Sequence, residues 1–338
     1  MTDSEELIGV FDKRVQRRDD RRALFKAILG AGVVGAGLAM AGSAEAQAVT
    51  DGDILNFALN LEYLESNFYY YAAFGTPIPA TSITGTGTAV STATAADSTG
   101  ALYNAGARQV KFSDPSVQAY ANEIAADELN HVNFLRKAIG ATAVAQPVLD
   151  VGITPNGAFS TAARAAGLIG ATSATAPTFF DVYANDLSFL YGAFIFEDVG
   201  VTAYRGASGL LTNKTYLDAA AGILAVEAYH AAIVRTTLDQ LGVATPIIRT
   251  NTEAISNVRD AVDGTTDDDQ GIAQIANTVG TLSNIAPTDG NGLAYGRTTG
   301  QVLNIVYLNS PPTKVGATKG GFFPAGMNGN ITTSTPNG

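Results

Sequence analysis

The sequence predicts an all-α fold, a four-helix bundle with a long crossover, followed by a C-terminal extension of mixed helix and loop. Three observations predict this class. Four long segments repeat apolar residues at the spacing of an amphipathic helix. Each of these segments carries an acidic residue in the middle of its apolar stripe. The unit Glu-x-x-His occurs twice, at residues 128–131 and 227–230, and contains both histidines of the chain.

Composition excludes several classes of protein. The chain has 338 residues and a net charge of −11, and a chain this negative is a poor partner for nucleic acid. It contains no cysteine, which excludes disulfides, thiolate metal sites and thiol catalysis. Carboxylate, imidazole, hydroxyl and amide groups therefore supply whatever chemistry the protein performs.

Residues 1–48 are interpreted as a twin-arginine signal peptide. The pair Arg21-Arg22 precedes a glycine- and alanine-rich apolar run over 27–42, and small residues offer a cleavage site after Ala48. An uncleaved anchor and an ordinary secretory signal are the alternatives, although the apolar run is short for a membrane span. We expect export to the periplasm, the extracellular space or the cell surface, without a membrane span after cleavage.

The first predicted bundle helix covers residues 53–73, with Asp51 or Asp53 as its N-cap. Glu62 lies within the apolar stripe of this helix. Glu65, three residues further on, shares the same face. The first helix therefore offers two carboxylates to the core.

The rest of the bundle follows in chain order. After a surface excursion over 75–107, predicted helices cover 115–138, 161–170, 179–204 and 214–241, the short one lying in the crossover. Asp114-Pro115 is a typical helix start, and Gly140 and Gly242 are predicted to end two of the helices. Glu197 lies in the apolar stripe of the third long helix.

Each Glu-x-x-His unit lies in the centre of an apolar stripe. The neighbours of Glu128 at helical spacing are Val117, Tyr120, Ala121, Ile124, Ala125, Val132, Leu135 and Ile139. Those of Glu227 are Leu217, Ala220, Ile223, Leu224, Ala231, Val234 and Leu238. Residues three apart share a helix face, so each unit directs a carboxylate and an imidazole toward the core. Burying an ionised carboxylate is costly without compensation, so these spacings indicate a bound metal ion.

The four long helices form an internal repeat. One half reads Glu62 followed by Glu128-x-x-His131, and the other reads Glu197 followed by Glu227-x-x-His230. Aligning the two halves places Tyr69 opposite Tyr204, and Glu65 opposite Gly200. This register favours Glu62 over Glu65 as the ligand from the first helix.

One glutamate from each of two helices, plus Glu-x-x-His from each of the other two, resembles the ligand set of ferritin-like dimetal carboxylate proteins. Over residues 49–245 the chain resembles this superfamily, and more narrowly the exported ferritin-like family that includes the desiccation-related proteins. The stretches that carry the resemblance are LNFALNLEYLESNFY, ADELNHVNFLRKAIG and FIFEDVGVTAY within the bundle, and GRTTGQVLNIVYLN and GGFFPAGMNGN beyond it. The resemblance implies a ferritin-like four-helix bundle.

The resemblance also implies a centre of two metal ions. Glu62 and His131 would bind one ion, Glu197 and His230 the other, and Glu128 and Glu227 would bridge them. These ligand types favour iron, by a small margin, or manganese, and zinc can replace either.

Tyr69 and Tyr204 are candidate catalytic residues, each hydrogen-bonding a ligand or supplying a redox-active phenol. The alternative for both is a core aromatic with one satisfied hydroxyl. Asp127 or Asp198 is a candidate to orient a histidine through its second ring nitrogen.

The function implied by the resemblance is that of an oxidoreductase in stress protection. Its substrate would be a small oxidant or a metal ion, so the activity would be peroxidase- or catalase-like on oxygen species, or ferroxidase-like on ferrous iron. The alternative is a non-catalytic structural or desiccation-protective protein whose metal site stabilises the fold.

The C-terminal extension, residues 246–338, differs from the bundle in its sequence pattern. Helices are predicted over 253–263 and 299–308, and the acidic stretch 265–269 is interpreted as a solvated turn rather than a calcium loop. Phe322 and its apolar neighbours Phe323 and Met327 indicate that the extension packs on the bundle or on a partner subunit. We therefore expect a homo-oligomer, either a dimer or another small assembly.

Overall fold

The computed structural model describes residues 49–264, 266–278, 280–309 and 316–335. The predicted signal peptide, residues 1–48, lies outside them. The described residues from Val49 onward belong to one compact unit. Its α-helices are α1 (Asp51–Phe74), α2 (Pro115–Ile139), α3 (Ala158–Ala165), α4 (Asp186–Ser208), α5 (Lys214–Ala244), α6 (Ile247–Asp263) and α7 (Thr299–Val306). Two short antiparallel strands, β1 (Ile275–Asn277) and β2 (Gly280–Leu282), pair with Ile275 opposite Leu282. The predicted all-α class is confirmed.

Four long helices form the bundle, as the sequence predicts. Helix α1 packs along α2, and α4 packs along α5, while contacts between α1 and α4 and between α2 and α5 join the two pairs. The crossover between α2 and α4 contains α3, which packs against α6. The Phe68 ring lies in the middle of the aromatic core, 5.8 Å from Phe189 and 5.5 Å from Phe196 between centroids.

Helix α1 is the central element of the fold. Its N-cap is Thr50 rather than Asp51 or Asp53, because the Thr50 hydroxyl accepts from the Asp53 N–H while the Asp53 carboxylate accepts from the Thr50 N–H. Nearly every residue from 54 to 73 is buried on all faces of the helix. The extension covers one of these faces, since Asn60 donates to the backbone carbonyl of Asn328 and accepts from its N–H.

Two helix starts differ from the prediction because side chains outside each helix accept hydrogen bonds from N–H groups of its first turn. Helix α3 begins at Ala158 instead of 161, because the Asp150 carboxylate accepts the Ala158 N–H from outside the helix. Helix α4 begins at Asp186 instead of 179, because the Asn185 side chain caps the Ser188 N–H. Val182 and Tyr183, just before it, are buried but lie in a turn, while Phe179 is exposed.

Two further boundaries depend on close packing at the α5–α6 junction. Gly242 does not end α5, which continues to Ala244; a side chain at Gly242 would lie 2.8 Å from Arg249, so this glycine permits a close approach instead. Helix α6 begins at Ile247, directly after Pro246, and not at 253. A proline just before a helix start has a backbone already set for the first turn.

Among the described residues, α5 is the one helix long and apolar enough by composition to cross a membrane. Its inward face carries the ionisable residues Glu227, His230 and Arg235, all of them buried. Helix α5 also packs along α4. It is therefore described as a bundle helix with a buried inward face, and 33% of its most apolar window is buried.

The extension packs directly on the bundle. The Phe322 ring lies 5.1 Å from Phe159 and 4.9 Å from Phe196 between centroids, and α7 contacts α4. The Phe322 backbone carbonyl also accepts the Asp150 N–H. Phe322 thus lies against the crossover and the third long helix, while the Phe323 ring lies 6.3 Å from that of Tyr307, directly after α7.

A buried ion-pair network joins the extension to α4 and α5. Asp198 accepts from Arg235 at 2.8 Å and from Arg259 at 3.1 Å. Asp269 pairs with Arg259 at 2.6 Å and with Arg297 at 3.1 Å. The predicted solvated turn at 265–269 is therefore wrong for Asp269, whose carboxylate is buried between two guanidinium groups.

Arg297→Met is expected to lower the free energy of unfolding by roughly 3–5 kcal/mol, because it leaves Asp263 buried without its cation and Asp269 with Arg259 alone. Arg108→Met is the control, since the Arg108–Asp181 pair is largely exposed and is expected to contribute less than about 1 kcal/mol. Urea unfolding followed by circular dichroism measures both. Equal losses in the two variants would contradict the role of the buried network.

Candidate metal centre

The bundle brings all six predicted ligand residues to one point between its four helices. Helix α1 contributes Glu62, α2 contributes Glu128 and His131, α4 contributes Glu197, and α5 contributes Glu227 and His230. All six are buried, and His131 is the most exposed at 8%. The buried stripes around Glu128 and Glu227 carry these side chains inward, although Leu217, at the edge of the second stripe, is exposed.

Four of the residues form a first cluster around the His131 imidazole. Its Nδ1 atom lies 3.3 Å from Glu62 Oε2, 3.7 Å from Glu128 Oε2 and 3.6 Å from Glu227 Oε1. The four side chains each offer one atom within 4.8 Å of the others, a spacing that can hold a metal ion. This arrangement contains the pairing of Glu62 with His131 that the sequence implies.

A second cluster forms around the His230 imidazole. Its Nδ1 atom lies 3.2 Å from Glu128 Oε1 and 3.6 Å from Glu197 Oε2. Glu128 belongs to both clusters, one oxygen facing each imidazole, so it is placed as a bridge. Glu227 lies near His131 and belongs to the first cluster alone.

Two tyrosines hydrogen-bond to Glu62 and Glu197, the outer glutamates, and each tyrosine lies in the opposite half of the repeat from its glutamate partner. Tyr69, on α1, donates its hydroxyl to Glu197 Oε1, and Tyr204, on α4, donates to Glu62 Oε1. In each glutamate the tyrosine takes one oxygen and leaves Oε2 facing the cluster. Both phenols are therefore positioned on candidate ligands, and each hydroxyl is satisfied by that bond.

The donor atoms fit a metal centre because they are buried and, although the imidazole Nδ1 atoms lie 3.2–3.7 Å from carboxylate oxygens, they make no hydrogen bond. Eight such atoms belong to the six residues: Glu62 Oε2, both oxygens of Glu128, both oxygens of Glu227, Glu197 Oε2 and the Nδ1 atoms of His131 and His230. Buried polar atoms are normally hydrogen-bonded, so a convergent set of unpaired ones calls for another partner. Four carboxylates would balance two divalent ions.

Burial changes the protonation of the carboxyl groups. It raises the pKa of Glu62 to about 7 and that of Glu197 to about 8, in spite of the nearby imidazoles. Burial raises the pKa of Glu227 well above its usual value, and the other carboxylates raise it further. Glu128 is the exception: burial opposes its ionisation, but contacts with both histidines hold its pKa below the usual range.

The carboxylates change the protonation of the imidazoles in turn. Burial alone would lower both histidine pKa values. Glu62 and Glu128 nevertheless raise the pKa of His131 to about 12, and Glu197 and Glu128 raise that of His230 to about 9. Without metal, the cluster therefore holds protons on both imidazoles near neutral pH.

The two aspartates considered for orienting a histidine have different roles. Asp127 Oδ2 lies 3.2 Å from His230 Nε2, the ring nitrogen that faces away from the cluster. Such a contact fixes the orientation of a metal-binding imidazole and leaves Nδ1 free to bind. Asp198 contacts no histidine and instead belongs to the buried ion-pair network with Arg235 and Arg259.

Gly200 and Glu65 border the centre on its α1–α4 side. A Cβ atom at Gly200 would lie 2.2 Å from Glu227 Oε2 and 3.4 Å from Glu65 Oε1. Only glycine leaves room for the Glu227 carboxylate in this position. Glu65 is buried but does not join either cluster, and burial together with Glu227 raises its pKa well above the usual value.

The importance of Gly200 is missed by reasoning from the sequence. The internal repeat aligns it with Glu65, which is used only to choose between Glu62 and Glu65. The same alignment contains a further signal. One half of the repeat carries an acid at this position and the other carries the smallest residue, as expected if only one extra carboxyl fits beside the centre.

Comparisons with known proteins agree with this geometry. A family model described as a ferritin-like domain matches residues 50–240. The chain is 28% identical over 291 residues to a protein named ferritin-like catalase Nec2 from Nesocodon mauritianus, covering 83% of this chain and 84% of the relative. It is 29% identical over 189 residues to desiccation-related protein PCC13-62 from Craterostigma plantagineum, covering 56% of this chain and 53% of the relative. No solved structure matches it significantly.

Metal binding is expected to release protons and to weaken as the pH falls. The metal must displace protons from His131 and His230, and from Glu62 and Glu197 near neutral pH. Apparent affinity for Mn²⁺ or Fe²⁺ should therefore rise between about pH 6 and about pH 9. Calorimetric titration in buffers of different ionisation enthalpy counts the released protons. An affinity that does not change over this range would contradict the assignment.

Gly200→Ala is expected to weaken metal binding by roughly 10–100-fold, because the new methyl group displaces the Glu227 carboxylate. Gly222→Ala is the matched control. Gly222 lies on the exposed face of α5, and a Cβ atom added there would have no neighbour within 4 Å, so its replacement should leave metal binding unchanged. Metal titration of both variants makes the comparison. Equal affinities would show that Gly200 does not shape the centre.

Proposed function

Since the chain belongs to the ferritin-like domain family, we propose that it is an exported dimetal carboxylate oxidoreductase that decomposes hydrogen peroxide. The observation that carries the proposal is the set of eight buried, unpartnered donor atoms converging from four helices. A pair of iron or manganese ions held there would supply two-electron exchange with peroxide.

The residues of the chain prepare this centre in three ways. Tyr69 and Tyr204 hold the outer carboxylates by hydrogen bonds, so that these ligands are oriented before metal binds. Asp127 orients His230. Glu65 retains a proton beside Glu227, so it is a buried acid at the edge of the centre that could donate this proton to an oxygen atom of peroxide as the O–O bond breaks.

Peroxide is favoured over other substrates by one of the relatives. The protein named ferritin-like catalase matches 83% of this chain, more than the residues up to the end of the bundle can supply, so the match reaches into the extension. Reduction and oxidation of the same substrate also need no organic co-substrate. Disproportionation converts two peroxide molecules into two waters and one O₂.

A non-catalytic protective role is the second candidate. The relative named desiccation-related protein supports it, with a match over 56% of this chain. In this role the metal would act by neutralising the buried carboxylates and so stabilising the fold.

Metal-loaded protein is expected to release one O₂ for every two peroxide molecules, measured with an oxygen electrode. Glu128→Gln should lower this rate by roughly 100-fold or more, because Glu128 faces both imidazoles. Glu123→Gln, at an exposed position of the same helix, is the control and should retain the parent rate.

Protein that binds two metal ions and leaves peroxide unchanged would refute the catalytic proposal. The protective role would then be favoured if replacing His131 and His230 by alanine lowers the melting temperature of the metal-loaded protein. Activity in the parent chain that survives Glu128→Gln would instead place the reaction elsewhere.

The proposal of export rests on the arginine pair and the apolar run within residues 1–48. Replacing Arg21 and Arg22 together by lysine is expected to retain the protein in the cytoplasm, as shown by cell fractionation. Unchanged export would favour an ordinary secretory signal.

We also propose that the exported protein forms a dimer or another small homo-oligomer, which native mass spectrometry tests.

A further inference from the structure

An apolar cavity of about 320 Å³ lies between the crossover, the bundle and the extension. Its walls come from α3, α4, α6 and α7, including Ala162, Ile195, Ile255 and Ile305. This volume is within the range of pockets that hold small organic ligands. The cavity lies outside the metal clusters and shares no residue with them.

The cavity offers little charge to a ligand. Two arginines line it, and both direct N–H groups at the protein: Arg259 at Asp198, Asp269 and the carbonyl of Phe194, and Arg164 at backbone carbonyls of residues 155, 170 and 178. The Tyr191 hydroxyl accepts from Asn251. Among the described residues that line the cavity there is no carboxylate. Its chemistry therefore suits a neutral, apolar molecule.

A second, smaller cavity of about 20 Å³ lies behind the first, toward the metal centre. The two cavities share the side chains of Ile195, Ile305 and Phe322 as a common wall. The smaller one has room for about one water-sized group. Its far side is formed by Glu65 and Gly200.

Glu65 and Gly200 connect this second cavity to the metal centre. A Cβ atom at Gly200 would lie 2.2 Å from Glu227 Oε2, so the glycine leaves the carboxylate open to the cavity side of the helix. Glu65 Oε1 lies beside the same point. One layer of apolar side chains thus separates the large cavity from the small one, and the small cavity ends next to a candidate metal ligand.

We propose that the large cavity binds a neutral, apolar organic molecule, one end of which reaches the metal centre through the small cavity beside Glu65 and Gly200. The extension supplies Ile305 and Phe322 at the passage, and this gives the segment after the bundle a role in ligand access. The proposal rests on the proposed function only in requiring that the centre hold metal, and it does not depend on the reaction performed there.

Hexafluorobenzene is a neutral, apolar probe that tests the cavity by ¹⁹F NMR with the full chain. Zinc-loaded protein is expected to broaden the probe resonance saturably, with one site per chain. Ala162→Phe fills the cavity and should abolish this binding, and Leu168→Trp, at the same wall, should weaken it. Ala225→Phe, at an exposed position of α5, is the matched control and should bind as the parent does. Circular dichroism verifies that each variant is folded.

Manganese-loaded protein then tests the path to the centre. Paramagnetic Mn²⁺ should raise the transverse relaxation rate of the bound probe at least tenfold over the zinc form, and Ala162→Phe should remove the effect. Absence of saturable binding, or binding that persists in both cavity variants, would overturn the site. Binding without enhanced relaxation in protein shown to hold manganese would overturn the path. Failure to bind manganese at all would instead refute the proposed function, and with it the path, while leaving the result on cavity binding valid.

Discussion

Four carboxylates and two imidazoles share one buried space between α1, α2, α4 and α5, and most of the architecture follows from this constraint. An ionised carboxylate buried without compensation costs several kcal/mol. The protein compensates in part by proton sharing, since Glu128 stays ionised between two histidines while the pKa of Glu62 and Glu197 rises toward neutrality. Eight donor atoms still lack a hydrogen bond. A pair of divalent ions would balance the charge and would take up the donor atoms that lack a hydrogen bond.

The surrounding structure holds this arrangement in place from two sides. On the inside, Tyr69 donates a hydrogen bond to Glu197 and Tyr204 donates one to Glu62, so each bond joins the two halves of the repeat. Gly200 leaves space for Glu227. On the outside, α7 and Phe322 of the extension cover the α1–α4 face. The buried ion pairs of Arg235 and Arg259 join the extension to α4 and α5. The extension is thus part of the environment of the centre, and its residues Ile305, Val306 and Phe322 line the small cavity beside Glu65 and Gly200.

The sequence predicts those features that depend on spacing along one helix. The four long helices, the inward face of each Glu-x-x-His unit and the alignment of Tyr69 with Tyr204 all follow from local periodicity. Features that depend on distant partners are not predictable in this way. The start of α3 depends on Asp150, and the burial of Asp269 depends on arginines from α6 and the segment before α7. No local pattern distinguishes Asp269 from the solvated aspartates beside it.

Anomalous diffraction from crystals of manganese- or iron-loaded protein, measured on both sides of the metal absorption edge, tests the central claim most directly. The account predicts two anomalous peaks per chain. One should lie between Glu62 and His131, the other between Glu197 and His230, with Glu128 in contact with both. A chain without peaks at this position, or with metal bound only at surface carboxylates, would contradict the assignment of a dimetal centre.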